Sequence, residues 1–154
     1  MRVTIGSVRV DVEFQERYWY PDDGGEVWVA GYYPIDAAGR FLARADLPPD
    51  LRITHVAGAI HRPAALSSDD AGPGRPLILR AEPDNPHDGN AVAVLLASGE
   101  PVGYVPRPLA PLVAEGWSAV VLRERRDSPR DPRTGLTMLL AHADTLELRS
   151  VLPG

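Results

Sequence analysis

The densest chemistry in the chain lies between Glu82 and Asn90, which reads Glu-Pro-Asp-Asn-Pro-His-Asp-Gly-Asn. Glu82, Asp84, Asp88 and His87 are the residue types that hold a divalent cation for phosphodiester hydrolysis. No second acidic block stands at a spacing that would complete such a site. The segment also resembles the start of a calcium loop from Asp84, but the third position is Pro86 and the twelfth is Leu95, so the bidentate acid is missing. There is no cysteine, hence no thiolate metal site and no disulfide. Gly-rich phosphate loops, nucleophile elbows and dinucleotide fingerprints are also missing. His55 and His61 read as ordinary polar residues at strand ends. The expectation is a binding protein with no catalytic residues, no cofactor and no metal.

Charge narrows what is bound. The 16 basic residues are all arginine and face 21 acids, for a net charge of −5. Affinity for duplex DNA comes from neutralising many phosphates, so broad sliding contact is disfavoured. A small pocket that grips one or two nucleotides is compatible with this charge. Only residues 101–154 are not acidic, with 7 Arg against 6 acids. The 154 residues suit one domain, or a domain with an extension. No apolar run is long enough for a membrane span, and the start of the chain lacks the apolar stretch of a secretory signal. The expected location is the cytoplasm, and the Ala, Gly, Pro and Arg content suggests a GC-rich bacterial coding sequence.

The elements that must position these residues are mostly strands. Val8, Val10, Val12 and Phe14 alternate with charged residues, the period of a half-buried strand. Pro21 to Gly25 is turn chemistry, and Glu26 to Tyr33 returns as a second strand, so the two form a hairpin. The break at Leu47-Pro48-Pro49-Asp50-Leu51 separates an N-terminal extension, residues 1–50, from a domain over 51–150. Within that domain, strands are expected at 52–58, 76–82, 90–97, 102–105, 118–123 and 136–142. Residues 67–74 and 83–89 are expected as loops, and 124–134 as a solvated, mixed-charge loop. Arg107 to Glu115 reads as a short helix with Pro108 in its first turn and Gly116 as its stop. Such a pattern favours a small barrel or sandwich.

Three segments together carry a family resemblance. They are Val56-Ala57-Gly58-Ala59-Ile60-His61-Arg62, then Leu77 through Val94 with its Glu-Pro-x-Asn-Pro-x-Asp-x-Asn-Ala-Val-x-Val core, then Gly103-Tyr104-Val105-Pro106-Arg107. In that order and spacing they are similar to the HIRAN domain. The resemblance implies a mainly β fold: a small OB-like barrel of about six strands with one or two short helices, here with an N-terminal β-hairpin extension. It also implies a non-catalytic module of DNA repair or processing that binds the 3′ end of single-stranded DNA, with a repair helicase or nuclease as its protein partner.

Carried over by motif position, the pocket comprises His61, Arg62, Asn85, His87, Asp88, Tyr104 and Arg107. A carboxylate such as Asp88 accepts a hydrogen bond from a terminal hydroxyl and repels a phosphate. Tyr104, and less strongly His87, can stack on a base at about 1–3 kcal/mol. Arg62 and Arg107 can grip phosphates with two parallel hydrogen bonds. Members of the family often carry tyrosine where His87 stands, and aromatic or basic residues where Ile60 and His61 stand.

Plainer readings stand beside these. Asn, Asp, Pro and Gly are what any tight turn uses. The aromatic set Tyr18, Trp19, Tyr20, Trp28, Tyr32 and Tyr33 reads as hairpin packing, with any exposed remainder a contact surface. A protein-interaction adaptor that keeps the fold but not the pocket is the alternative function, and a metal-dependent nuclease at Glu82, Asp84 and Asp88 is the third.

Overall fold

A computed structural model describes residues 6–20 and 25–150. The strands in chain order are β1 (Ser7–Trp19), β2 (Val27–Pro34), β3 (Leu51–His55), β4 (Pro76–Ala81), β5 (Val92–Leu96), β6 (Pro101–Tyr104), β7 (Ser118–Arg126), β8 (Gly135–Ala141) and β9 (Thr145–Ser150). Two short helices, α1 (Pro63–Leu66) and α2 (Ala110–Val113), join them.

Six strands run in the order β3-β8-β7-β4-β5-β6, antiparallel throughout. The two ends of that series meet at one bridge, Ala57 with Tyr104, whose amides exchange hydrogen bonds of 2.8 and 2.9 Å. The barrel-like curl is therefore closed at one point and by no continuous ladder. Gly103 permits this approach, since a Cβ there would sit 2.4 Å from the Ala57 carbonyl oxygen. β5 lies between β4 and β6 and is buried on both faces, which explains its unbroken apolar sequence. Val94, Leu96, Val102, Val121, Met138 and Leu140, all with no exposed surface, form the main core.

The N-terminal hairpin pairs β1 with β2 antiparallel, and β2 continues the sheet against the second half of β7. The Pro21–Gly25 turn falls almost entirely outside the described residues. β9 then lies parallel to β1, from Ser7 opposite Thr145 to Val12 opposite Ser150. Val10 and Val12 pack with Val120, Leu122 and Leu139 in a second, smaller core.

Several expectations change here. The run after Arg123 is not a solvated loop: β7 extends through Arg126, and Glu124 is 6% exposed. Its carboxylate accepts hydrogen bonds from Arg126 Nε at 2.7 Å and Arg133 Nε at 2.6 Å, so two guanidiniums, one at the end of the strand and one beyond it, keep a charge inside. Arg133 also donates to the carbonyls of Leu66 and Ser68, tying the 67–74 segment down. That segment is not a bare loop either, because Asp69–Ala71 makes a 3-10 turn and buries Ala71 fully. The α2 helix covers only part of 107–115; Pro111 lacks the N–H that a regular helix needs. The 3-10 turn Ala59–His61, helix α1 and strand β9 were not anticipated.

Candidate nucleic-acid interface

The turn from β4 to β5 is built by its own side chains. Asn85 Oδ1 accepts from the amides of His87 at 2.9 Å and Asp88 at 3.2 Å. Asp88 Oδ1 accepts from the Asn90 amide at 2.9 Å. Those bonds hold a stretch that pairs with no neighbouring strand. Asn85 Nδ2 donates back to Glu82 Oε1 at 3.0 Å. Tyr104, at the end of β6, donates its phenol to the same Glu82 oxygen at 2.9 Å.

Glu82 is thus the hub that fixes both the turn and the Tyr104 ring. The hydrogen bonds from Asn85 and then Tyr104 hold its carboxyl below the ordinary carboxylate range. Acceptance by that anion pushes the Tyr104 phenol up from its ordinary value. Sequence reasoning weighed Glu82 only as a metal ligand. Its position three residues before Asn85 was the available signal for a bond across the turn.

The result is a cleft of about 340 Å³ lined by Asn85, His87, Asp88, Tyr104 and Arg107, with Ala57, Gly58, Ala91 and Val105 as its apolar walls. Five of the seven expected positions therefore share one cavity. His61 and Arg62 do not line it. They lie at the 3-10 turn and the start of α1, both exposed, although Arg62 is near enough that its charge favours the Tyr104 phenolate. Asp88 Oδ2 faces Arg107 Nε at 3.9 Å, an ion pair too long for a hydrogen bond, so this oxygen keeps acceptor capacity. The Arg107 side chain is 79% exposed. Gly58 adopts φ +75°, a left-handed conformation, and a Cβ there would meet open space.

The acids near the cleft do not gather. Among the described residues, no three His, Asp or Glu side chains are grouped so as to hold a metal ion. Nor is any helix long and apolar enough to cross a membrane among those residues.

The model of the HIRAN domain family matches residues 53–137, more than half of the chain. The chain belongs to the HIRAN domain family. Among solved structures, the crystal structure of the HIRAN domain of human HLTF is similar, with 21% identity, a TM-score of 0.42, and coverage of 61% of this chain and 77% of that one. No curated protein matches the chain. The HIRAN match begins inside β3 and ends inside β8. Strands β1, β2 and β9 lie outside it.

Proposed function

We propose that the chain binds single-stranded DNA, at its 3′ end, and holds it without chemistry. The observation that carries this reading is the convergence of Asp88, Tyr104 and Arg107 on one cleft. In this reading the terminal hydroxyl donates to Asp88 Oδ2, the oxygen left available by the turn. The terminal base stacks on Tyr104, whose ring Glu82 pins from the far end; His87 flanks it. Arg107 pairs with the phosphate before the end, and Arg62 and His61 stand at the rim for the next one. Asn85 acts by shaping the turn, because both ends of its amide are already engaged. A 3′-phosphate would put like charges together at Asp88, so a free hydroxyl is preferred. Holding over cutting is supported at Glu82, the carboxylate engaged by both Asn85 and Tyr104. Such a module suits DNA repair or processing inside the cell, alongside a helicase or nuclease.

The test is fluorescence anisotropy at low salt with one labelled strand bearing either a 3′-hydroxyl or a 3′-phosphate. The hydroxyl strand is expected to bind about tenfold tighter, and Asp88→Ala to remove the difference. Equal affinity for both strands would sink end recognition. No binding to either would favour the adaptor reading, for which the exposed Tyr18, Trp19 and Tyr20 (51%, 58% and 68%) offer a contact surface.

A further inference from the structure

A second groove, of about 550 Å³, shares Gly58 with the cleft and is lined by His55, Ile60, Arg125 and Thr137 among others. Gly58 lines both cavities, and with no side chain it makes a low saddle between them. The strand register carries this groove onward. His55 pairs with Thr137, Thr137 with Arg123, and Arg123 with Gly31, so their side chains share one face of the sheet. One row over, Gly135, Arg125, Val29 and Arg17 are partners in the same way.

Where these rows reach the N-terminal hairpin, Tyr33 is flanked by two guanidiniums. Arg17 Cζ lies 3.8 Å and Arg123 Cζ 4.3 Å from its ring centre. Arg17 also stands 5.3 Å from the ring of Phe41, which is 45% exposed. Among the described residues, none of Arg17, Arg123 and Arg125 has a carboxylate at ion-pair distance. The Arg123 guanidinium is partly buried, and the charges of Arg44 and Arg17 lie near it. In a chain of net charge −5, this is an uncompensated cationic and aromatic face. Guanidiniums held over a ring suit a single-stranded nucleic acid: their edges meet phosphates, and a base can stack on the outer guanidinium plane or on the exposed Phe41.

We propose that the nucleic-acid site is bipartite, the strand passing from the Tyr104 cleft over Gly58 through the His55–Arg125 groove onto the Arg123–Tyr33–Arg17 face of the N-terminal hairpin. This rests on the cleft holding the strand's end, as proposed above. The rows cross four inter-strand steps of about 4.8 Å, roughly 19 Å, or on the order of five or six stacked nucleotides. It gives β1 and β2, which the HIRAN match does not cover, a role as the outer half of the site. Asp127 at the groove and Glu13 beside Tyr33 are acids along the way, and they set a preference for a path that keeps to the arginines.

The test measures anisotropy of the full chain with a short (about 3-nucleotide) and a long (about 12-nucleotide) oligothymidylate, both with free 3′-hydroxyls. Arg17→Ala and Arg125→Ala are exposed substitutions, checked for folding by far-ultraviolet circular dichroism. The wild type should bind the long strand more tightly than the short one. Each variant should leave the short strand unchanged, weaken the long one by about fivefold to tenfold, and lower the slope of log affinity against log salt by about 0.7. Variants that bind the long strand as tightly as wild type would overturn the hairpin face. If the long strand binds through Arg17 while the short one does not bind and the end is immaterial, the cleft reading fails and the face stands. Absence of binding to either strand by the wild type would overturn both.

Discussion

The barrel and the clasp formed by β1, β2 and β9 are held in different ways. Among the described residues, eighteen buried side chains make the barrel core, against five at the clasp, so burial of apolar surface contributes more to the first than to the second. The clasp relies more on ladder hydrogen bonds and on pairs at the surface. Arg149 makes two bonds to Asp11 at 2.7 and 2.9 Å, Arg9 meets Glu147 at 3.4 Å, and the Thr145 hydroxyl donates to Ser7. Exposed pairs of this kind contribute little and weaken in salt. The barrel carries the cleft, and the cationic face spans both regions, with Arg123 and Arg125 on β7 and Arg17 and Tyr33 on the clasp.

Leu140→Ala should break the barrel hardest. It empties a site with no exposed surface and is expected to cost about 3–4 kcal/mol in urea unfolding. A loss under about 1 kcal/mol would mean that the core is not where the barrel gets its stability.

Glu124→Gln comes next, at about 3 kcal/mol, since it strands Arg126 and Arg133 without their anion. Burial raises the Glu124 pKa, but the hydrogen bonds from Arg126 and Arg133 outweigh it and leave the group below its ordinary value. A depressed carboxylate contributes stability that is present above its unfolded pKa of about 4.5 and is lost as pH falls through its folded one. Wild-type stability should therefore fall below about pH 4.5, and the variant should show less of that fall when unfolding is followed against pH.

Gly31→Ala tests the joint between the two regions. Gly31 has φ +149°, and a Cβ there would lie 2.2 Å from the Leu122 carbonyl oxygen and 2.6 Å from Arg123 Cα. The substitution should cost about 2 kcal/mol and act on the clasp alone. Hydrogen exchange would then speed up in β1, β2 and β9 while β5 stays protected. Uniform loss of protection would mean that clasp and barrel unfold as one unit.

Glu82→Gln should have the smallest effect on stability and a clear one on titration. A neutral amide weakens the hydrogen bond that chiefly raises the Tyr104 phenol and removes the charge behind it, so its pKa should move down toward 10. Ultraviolet absorbance of tyrosinate against pH reads this directly, and an unmoved titration would remove Glu82 as the anchor of the ring.

Much of the barrel was legible because its strands are apolar runs between Gly and Pro turns, as at Val92–Leu96 and the Ser98–Glu100 hairpin. What escaped the sequence depends on partners far along the chain. Glu124 reads as a surface acid until Arg133, itself held by the carbonyls of Leu66 and Ser68, is placed beside it. Strand β9 has polar residues throughout except Leu146 and Leu148, and becomes a strand only because β1 offers an edge. At the cleft, the clustering of five expected residues follows from one turn and one returning strand, both local. The displacement of His61 and Arg62 from its lining follows from the 3-10 turn after Gly58, which no periodicity announces.

The parallel pairing of β1 with β9 also sets a timetable. Partners such as Arg9 and Glu147 are 138 residues apart in sequence. At ribosomal speeds of roughly 5–20 residues per second, β1 waits about 7 to 28 seconds for its second neighbour to be made. Through that interval the nascent chain carries an open edge with Val8, Val10 and Val12 along it, and its closest risk is another nascent copy in the same state. Arg9 and Asp11 alternate with those valines, so the charges that later pair with Glu147 and Arg149 serve first to keep the waiting edge from sticking.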